Sequence, residues 1–163
     1  MQIKYVGSLW GMSPSTLTAN LEAIRSAGFD GVEMWAPNDA GARRELRTML
    51  DDLGLDLVAQ QWTFGSSAAE HAASFEEQYL RNIELRPRFV NSHTGVDHYP
   101  LSENLRILDH ASALAERCGV SVLHETHRGR ATFSAPGDRG GVHATTHQRY
   151  PSPRNRPKLE FAK

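Results

Sequence analysis

The sequence predicts an α/β fold of about five βα units, the opening part of a (β/α)8 TIM barrel. Three observations predict it. Short apolar runs alternate with amphipathic stretches, and strand starts near residues 3, 31, 55, 89 and 120 give a repeat of about 29 residues. Polar or aromatic residues follow nearly every apolar run, at Trp10, Glu33, Gln60/Gln61, His93 and Glu125. The first βα loop, Gly7 to Ser13, holds neither a GxGxxG pattern nor a Walker lysine, so a doubly wound sheet lacks its usual ligand signal.

Each element has a local reason. Ile3 to Ser8 is a short β-type run. Ser13 and Pro14 predict the start of a helix through Leu17, Leu21 and Ile24 to Ala27, with Gly28 as its stop. Gly31 to Trp35 is the second strand. Ala40 to Leu53 places Leu46, Leu50 and Leu53 on one helix face before Gly54. Leu55 to Gln61 is the third strand. Ser67 to about Leu85 is a helix with Phe75 and Tyr79 one turn apart, ended by Pro87. Phe89 to His93 is the fourth strand, and Ser102 is read as the cap of a helix closed by Gly119. Val120 to Glu125 is the fifth strand.

At 163 residues the chain is long enough for one core, assigned to residues 1–135. That part carries twelve Lys/Arg and seventeen Asp/Glu, which argues against a nucleic-acid partner. No apolar run approaches the ~20 residues of a membrane span, and the N-terminus shows no signal-peptide pattern. The single Cys118, near a helix end, reads as a packing residue and suits a reducing, cytoplasmic setting. Residues 136–163 differ: four Pro, two adjacent Gly, six Lys/Arg against two Asp/Glu and no apolar period, a disordered basic tail by composition. A basic nucleic-acid arm and a natural extension are two readings of it. The preferred one is a change of reading frame near Pro136, since GC-rich DNA read out of frame yields Arg, Pro, Gly, His and Thr.

The chemistry concentrates at the strand ends. In Ser121-Val122-Leu123-His124-Glu125-Thr126-His127-Arg128-Gly129-Arg130 an apolar run ends in a carboxylate between imidazoles, with guanidinium groups following. A carboxylate at a buried strand tip needs a metal, a cation or donors, so Glu125 is the leading metal ligand or acid/base. Pairing with Arg128 or Arg130 is the alternative. His93 is a substrate or metal contact, or a hydrogen-bonded structural histidine. Strand alternation puts His124 on the face opposite Glu125, whereas His127 can share the mouth. Arg128 and Arg130 offer bidentate donors to an anionic group, or form a solvated loop. Glu33, at the tip of strand two, is a substrate-binding carboxylate or the partner of a helix cation. Trp10, Trp35 and Trp62 are aromatic walls of a sugar-sized pocket or ordinary packing. His71 and His110 are read as surface or interface residues of helices, and Asp97 and His98 as members of the strand-four loop.

On Ala27-Gly28-Phe29-Asp30-Gly31-Val32-Glu33, Leu53-Gly54-Leu55 with Gln60, Asn91-Ser92-His93-Thr94-Gly95 and His124-Glu125-Thr126-His127, residues 1–135 resemble the xylose isomerase-like barrel family. That family holds sugar-phosphate isomerases and epimerases, hydroxypyruvate isomerases, inosose dehydratases and the endonuclease IV group. The resemblance implies a divalent metal (Mn, Mg, Co or Zn), with Glu125 as the strand-five ligand and the other ligands on strands six to eight, which this sequence does not show. Metal binding by this chain is therefore expected to be poor, and the chain to be inactive as it stands. It implies proton transfer next to a carbonyl on a small sugar or hydroxy-carbonyl substrate. Glu125 and His93 would be catalytic, with Glu33, His127, Arg128, Arg130, Trp10 and Trp35 contacting substrate. The endonuclease branch fits less well: Gln60-Gln61 stand where it has a zinc histidine. A half-barrel assembling through its open sheet edges is the non-enzymatic alternative. The frame-change reading predicts a second open frame past the codons of Glu125, with Asp, His and Glu at strand tips; sequencing the coding DNA checks it, and a frame that closes without such a segment removes it.

Overall fold

Alternating apolar and amphipathic stretches become five parallel strands joined by four helices. The computed structural model describes residues 3–12 and 15–133. The boundary at 135 and the tail after it lie outside the described residues, as do Ser13 and Pro14. The strands are β1 (Val6–Ser8), β2 (Gly31–Trp35), β3 (Asp56–Trp62), β4 (Phe89–His93) and β5 (Val122–His124). The helices are α1 (Leu17–Ser26), α2 (Ala40–Leu53), α3 (Ala68–Ile83) and α4 (Leu101–Cys118).

The sheet order is β1-β2-β3-β4-β5, every neighbour parallel. A doubly wound sheet reverses its order part-way; a barrel adds each strand beside the last. The observed order is that of a barrel. Its two faces differ sharply. Val32, Met34, Leu57, Ala59 and Val90 pack against the helices, meeting Leu21, Ile24, Leu46, Leu50, Phe75, Tyr79 and Leu114. The other face carries a small apolar base of Val6, Val58 and Phe89, with Leu123 against it, and polar groups towards the C-terminal strand ends.

Helix boundaries follow their caps. Asp39 accepts from the Ala42 amide at 2.8 Å to start α2, and Gly54 ends it with φ 63°. Ser67 accepts from the Glu70 amide at 3.2 Å while Glu70 reaches back to the Ser66 amide at 2.6 Å. That reciprocal pair starts α3. Three expectations change. Thr16 caps α1, accepting from the Ala19 amide at 3.2 Å, in place of Ser13. Pro100, not Ser102, stands at the head of α4; its carbonyl accepts from Glu103 and Asn104, so Ser102 is already inside the first turn. α3 stops at Ile83 because Pro87 disfavours helical backbone in the residue before it, and Arg86 takes φ 51°. The edge strands β1 and β5 are shorter than the apolar runs that encode them, since each pairs on one side only among the described residues.

No helix among the described residues is long and apolar enough to cross a membrane. Gly31 marks the tightest strand contact: a Cβ there would stand 2.6 Å from the Asp56 carbonyl oxygen. Gly31→Ala must part β2 from β3, and urea unfolding should show a loss of roughly 1–3 kcal/mol.

Candidate active site

Strand alternation places Glu33, Trp35, Gln60, Trp62, Asn91 and His93 on the inner face, with Glu125 just beyond β5. The Glu125 amide donates to the Ser92 carbonyl at 3.0 Å, and Thr132 Oγ1 donates to the Glu125 carbonyl at 2.7 Å. Its backbone is thereby tied to the sheet.

Asn91 sits at the centre. Its Nδ2 donates to Glu33 Oε1 at 2.9 Å and to Glu125 Oε2 at 2.8 Å. A side-chain amide has two N–H donors on one nitrogen, so it can serve two carboxylates without adding charge. An aspartate there would place a third anion between them. Glu125 Oε2 also lies 2.9 Å from His93 Nε2. The His93 ring stacks on His127, with centroids 4.5 Å apart and planes 18° apart. Carboxylate, imidazole, amide and second carboxylate thus form one connected group on three strands.

An aromatic wall rises beside it. Trp10 Nε1 donates to Gln60 Oε1 at 3.0 Å. Trp10 meets Trp35 edge-on at 5.0 Å, and Trp35 meets Trp62 edge-on at 5.3 Å. All three indoles remain substantially exposed.

The predicted site residues divide accordingly. Glu33, His93, Glu125 and His127 come together, and Trp10 and Trp35 join the wall. Arg128 and Arg130 do not reach the carboxylates. Arg130 instead donates to the Thr63 carbonyl at 2.9 Å and the Gly95 carbonyl at 3.3 Å, binding two loops together. Burial holds its guanidinium below the usual arginine range. The Arg128 carbonyl accepts from His127 Nδ1 at 2.8 Å. Asp97 and His98 face each other at 3.5 Å in the exposed β4–α4 loop. His110 pairs with Glu76 of α3 at 3.0 Å. His71, expected at the surface or at an interface, is 2% exposed and packed inside; its Nδ1 lies 2.8 Å from Thr63 Oγ1. That partner belongs to the β3–α3 loop, which helical periodicity does not report. Asn91 was quoted in the sequence motif without a role. Its signal is its place two residues before His93, hence on the same face.

The described residues do not by themselves build a divalent-metal site. Among the described residues no group of three His, Cys, Asp or Glu stands close enough to hold one, and Glu125 Oε2 already has Asn91 and His93 against it.

Comparisons with known proteins place this geometry. No protein-family model matches the sequence. A 120-residue stretch is 33% identical to 3-dehydroshikimate dehydratase of Pseudomonas aeruginosa, covering 66% of this chain and 18% of the dehydratase. Among solved structures, a D-tagatose 3-epimerase-like protein superposes with a TM-score of 0.59 at 19% identity, over 78% of this chain and 55% of its own. A xylose isomerase domain protein of Alicyclobacillus acidocaldarius gives 0.57 at 15% identity, over 79% and 54%. The chain carries the xylose isomerase-like barrel fold. Endonuclease IV of Thermus thermophilus shares this partial barrel, with a TM-score of 0.51 at 14% identity over 74% and 51%. The partial barrel spans little more than half the length of these solved structures and a much smaller share of the dehydratase.

On the helix side, His124 Nδ1 lies 2.7 Å from Thr94 Oγ1 and its ring leans on Phe75. Loss of water around the imidazole pushes it from 6.5 down to about 4. Burial lowers His71 too, helped by the nearby Arg130 charge. Both stay neutral when folded and protonate more readily once unfolded. The unfolded chain therefore binds more protons between pH 6.5 and about 4, so stability falls as pH drops through that window. Urea unfolding from pH 7 to 4.5 should show this slope, and His124→Gln should flatten it; an unchanged slope in that variant would assign it elsewhere.

Proposed function

We propose that this chain supplies the carboxylate half of an active site that moves a proton next to a carbonyl. The reactions are those of a sugar isomerase or epimerase, or of a dehydratase acting on a hydroxy-ketone. One observation carries the reading: Asn91 holds Glu33 and Glu125 side by side at the barrel mouth, with His93 on Glu125. The likeness to an epimerase-like structure and to a dehydratase supports the same elementary step.

In that step a carboxylate oxygen takes the proton from the carbon beside the carbonyl. The C–H electron pair forms a C=C bond and the carbonyl π pair moves to oxygen. Once Glu125 is protonated it needs its donors less, which frees the His93 Nε2–H for the developing oxyanion. Donation of a proton to the other face by the second carboxyl, protonated beforehand, gives the epimer; return of the proton to the former carbonyl carbon, with the adjacent hydroxyl proton passing to the first oxyanion, gives the isomer. Where a hydroxyl stands β to the carbonyl, the enolate expels it, and it leaves as water after taking a proton from the acid. The indoles of Trp10 and Trp35 cover the C–H faces of a ring-sized substrate. Glu125 would be one ligand of a divalent metal, which would supply Lewis acidity to the carbonyl and would need further ligands beyond those of the described residues; cytoplasmic sugar metabolism is the setting this reading implies.

The second reading is a non-enzymatic half-barrel that assembles through its sheet edges. It rests on β1 and β5 each pairing on one side only among the described residues. Exchange of substrate C–H in D2O, followed by NMR on D-fructose, D-tagatose and 3-dehydroshikimate, separates the two. Glu125→Gln and Glu33→Gln should each lower exchange about 10²- to 10⁴-fold, with Asn91→Ala close behind. Absence of exchange in the parent chain, with a discrete oligomer in sedimentation, would favour the assembly reading.

A further inference from the structure

A cleft of about 610 Å³ opens beside the mouth, between the β2–α2 loop and α3. Trp35 and Trp62 are common to both, and Phe64 continues the wall into the cleft. These three rings are 38%, 40% and 54% exposed. Across from them α3 presents Gln78, Arg81 and Asn82. Gln78 Nε2 is fixed on the Trp62 carbonyl at 2.6 Å, and Arg81 on Glu77 at 3.0 Å. Behind the floor, Asn82 donates to Gln61 at 2.9 Å, and the Gln61 Nε2 is buried with no hydrogen-bond partner.

Exposed aromatic faces opposite amides and a neutralised guanidinium suit one ligand chemistry. The rings cover the C–H faces of a pyranose, and the polar groups exchange hydrogen bonds with its hydroxyls. Glu77 cancels the charge of Arg81, so an uncharged polyol fits better than a phosphate. The volume is that of a small-molecule pocket, and its lining includes none of Glu33, Asn91, His93 and Glu125.

We infer that this cleft is a second sugar subsite. The substrate is then a glycoside or disaccharide whose carbonyl-bearing ring lies over Glu33 and Glu125. Its second ring lies between Trp62, Phe64 and Arg81. This rests on the proton-transfer reading of the mouth and names its substrate class.

Tryptophan fluorescence titrations of the full chain with methyl β-D-glucoside, cellobiose, maltose and isomaltose test it. At least one disaccharide should bind about tenfold or more tightly than the single ring. Phe64→Ala and Arg81→Ala should erase that advantage while leaving single-ring binding unchanged, and Glu125→Gln should weaken both. Circular dichroism of the variants checks that they fold. Equal binding of one and two rings, still weakened by Glu125→Gln, overturns the subsite and leaves the mouth reading intact. So does a disaccharide advantage that survives both cleft substitutions. Failure of every sugar to bind overturns the subsite, while the mouth reading stands or falls on C–H exchange of D-fructose, D-tagatose and 3-dehydroshikimate.

Discussion

One neutral amide holds the mouth of this barrel together. Asn91 spans two carboxylates that arrive from different strands and would otherwise repel each other. Everything else at the mouth is arranged from that contact. It requires β2, β4 and β5 to lie in one parallel register, so that side chains far apart in sequence share an inner face. It leaves Glu125 Oε2 open to His93, and through His93 to the stacked ring of His127. The shared nitrogen is neutral, so both acids meet donors without a fixed cation between them.

The sheet separates two kinds of burial. On the helix side, apolar residues from four helices close over Val32, Leu57, Ala59 and Val90, and that packing dominates stability. Most of the polar groups there pair locally: Tyr79 donates to the Val120 carbonyl at 2.6 Å, and Thr94 bridges Ser92 and His124, whereas Gln61 Nε2 has no partner. On the inner side the apolar base is small, and polar groups accumulate towards the strand ends. Adjacent residues therefore live in different media. His124 is stripped of water and held neutral, while Glu125, one residue on, turns to the mouth.

Two loops make the mouth rigid from below. Thr63 lies under both, its hydroxyl accepting from the Gly95 amide while His71 approaches it at 2.8 Å. Arg130 clasps the carbonyls of Thr63 and Gly95 from the segment after β5. A guanidinium that looks suited to a substrate anion thus also ties the scaffold together through Nη1. Its five donors can satisfy carbonyls that the turning backbone leaves without partners. The same segment carries His127 to His93, so positioning and chemistry share a loop.

Much of this was legible in the residues. Alternation with periods of two and of about 3.6 marks strands and helices directly. β2, α2 and β4 accordingly fall where their patterns end, and Gly54 stops α2 because only a residue tolerant of positive φ fits there. Parity alone assigned Glu125 to the mouth and His124 to the opposite face. What the sequence could not decide depends on contacts across long separations. Asn91 meets Glu33 across 58 residues and Glu125 across 34, and nothing local distinguishes that amide from any other polar strand residue. The guanidinium of Arg130 and the imidazole of His71 find loop partners that no periodicity encodes. Local pattern determined the elements and the direction each side chain faces; only tertiary packing decided which of those side chains meet, because a hydrogen bond is set by distances of a few tenths of an ångström that chain spacing does not carry.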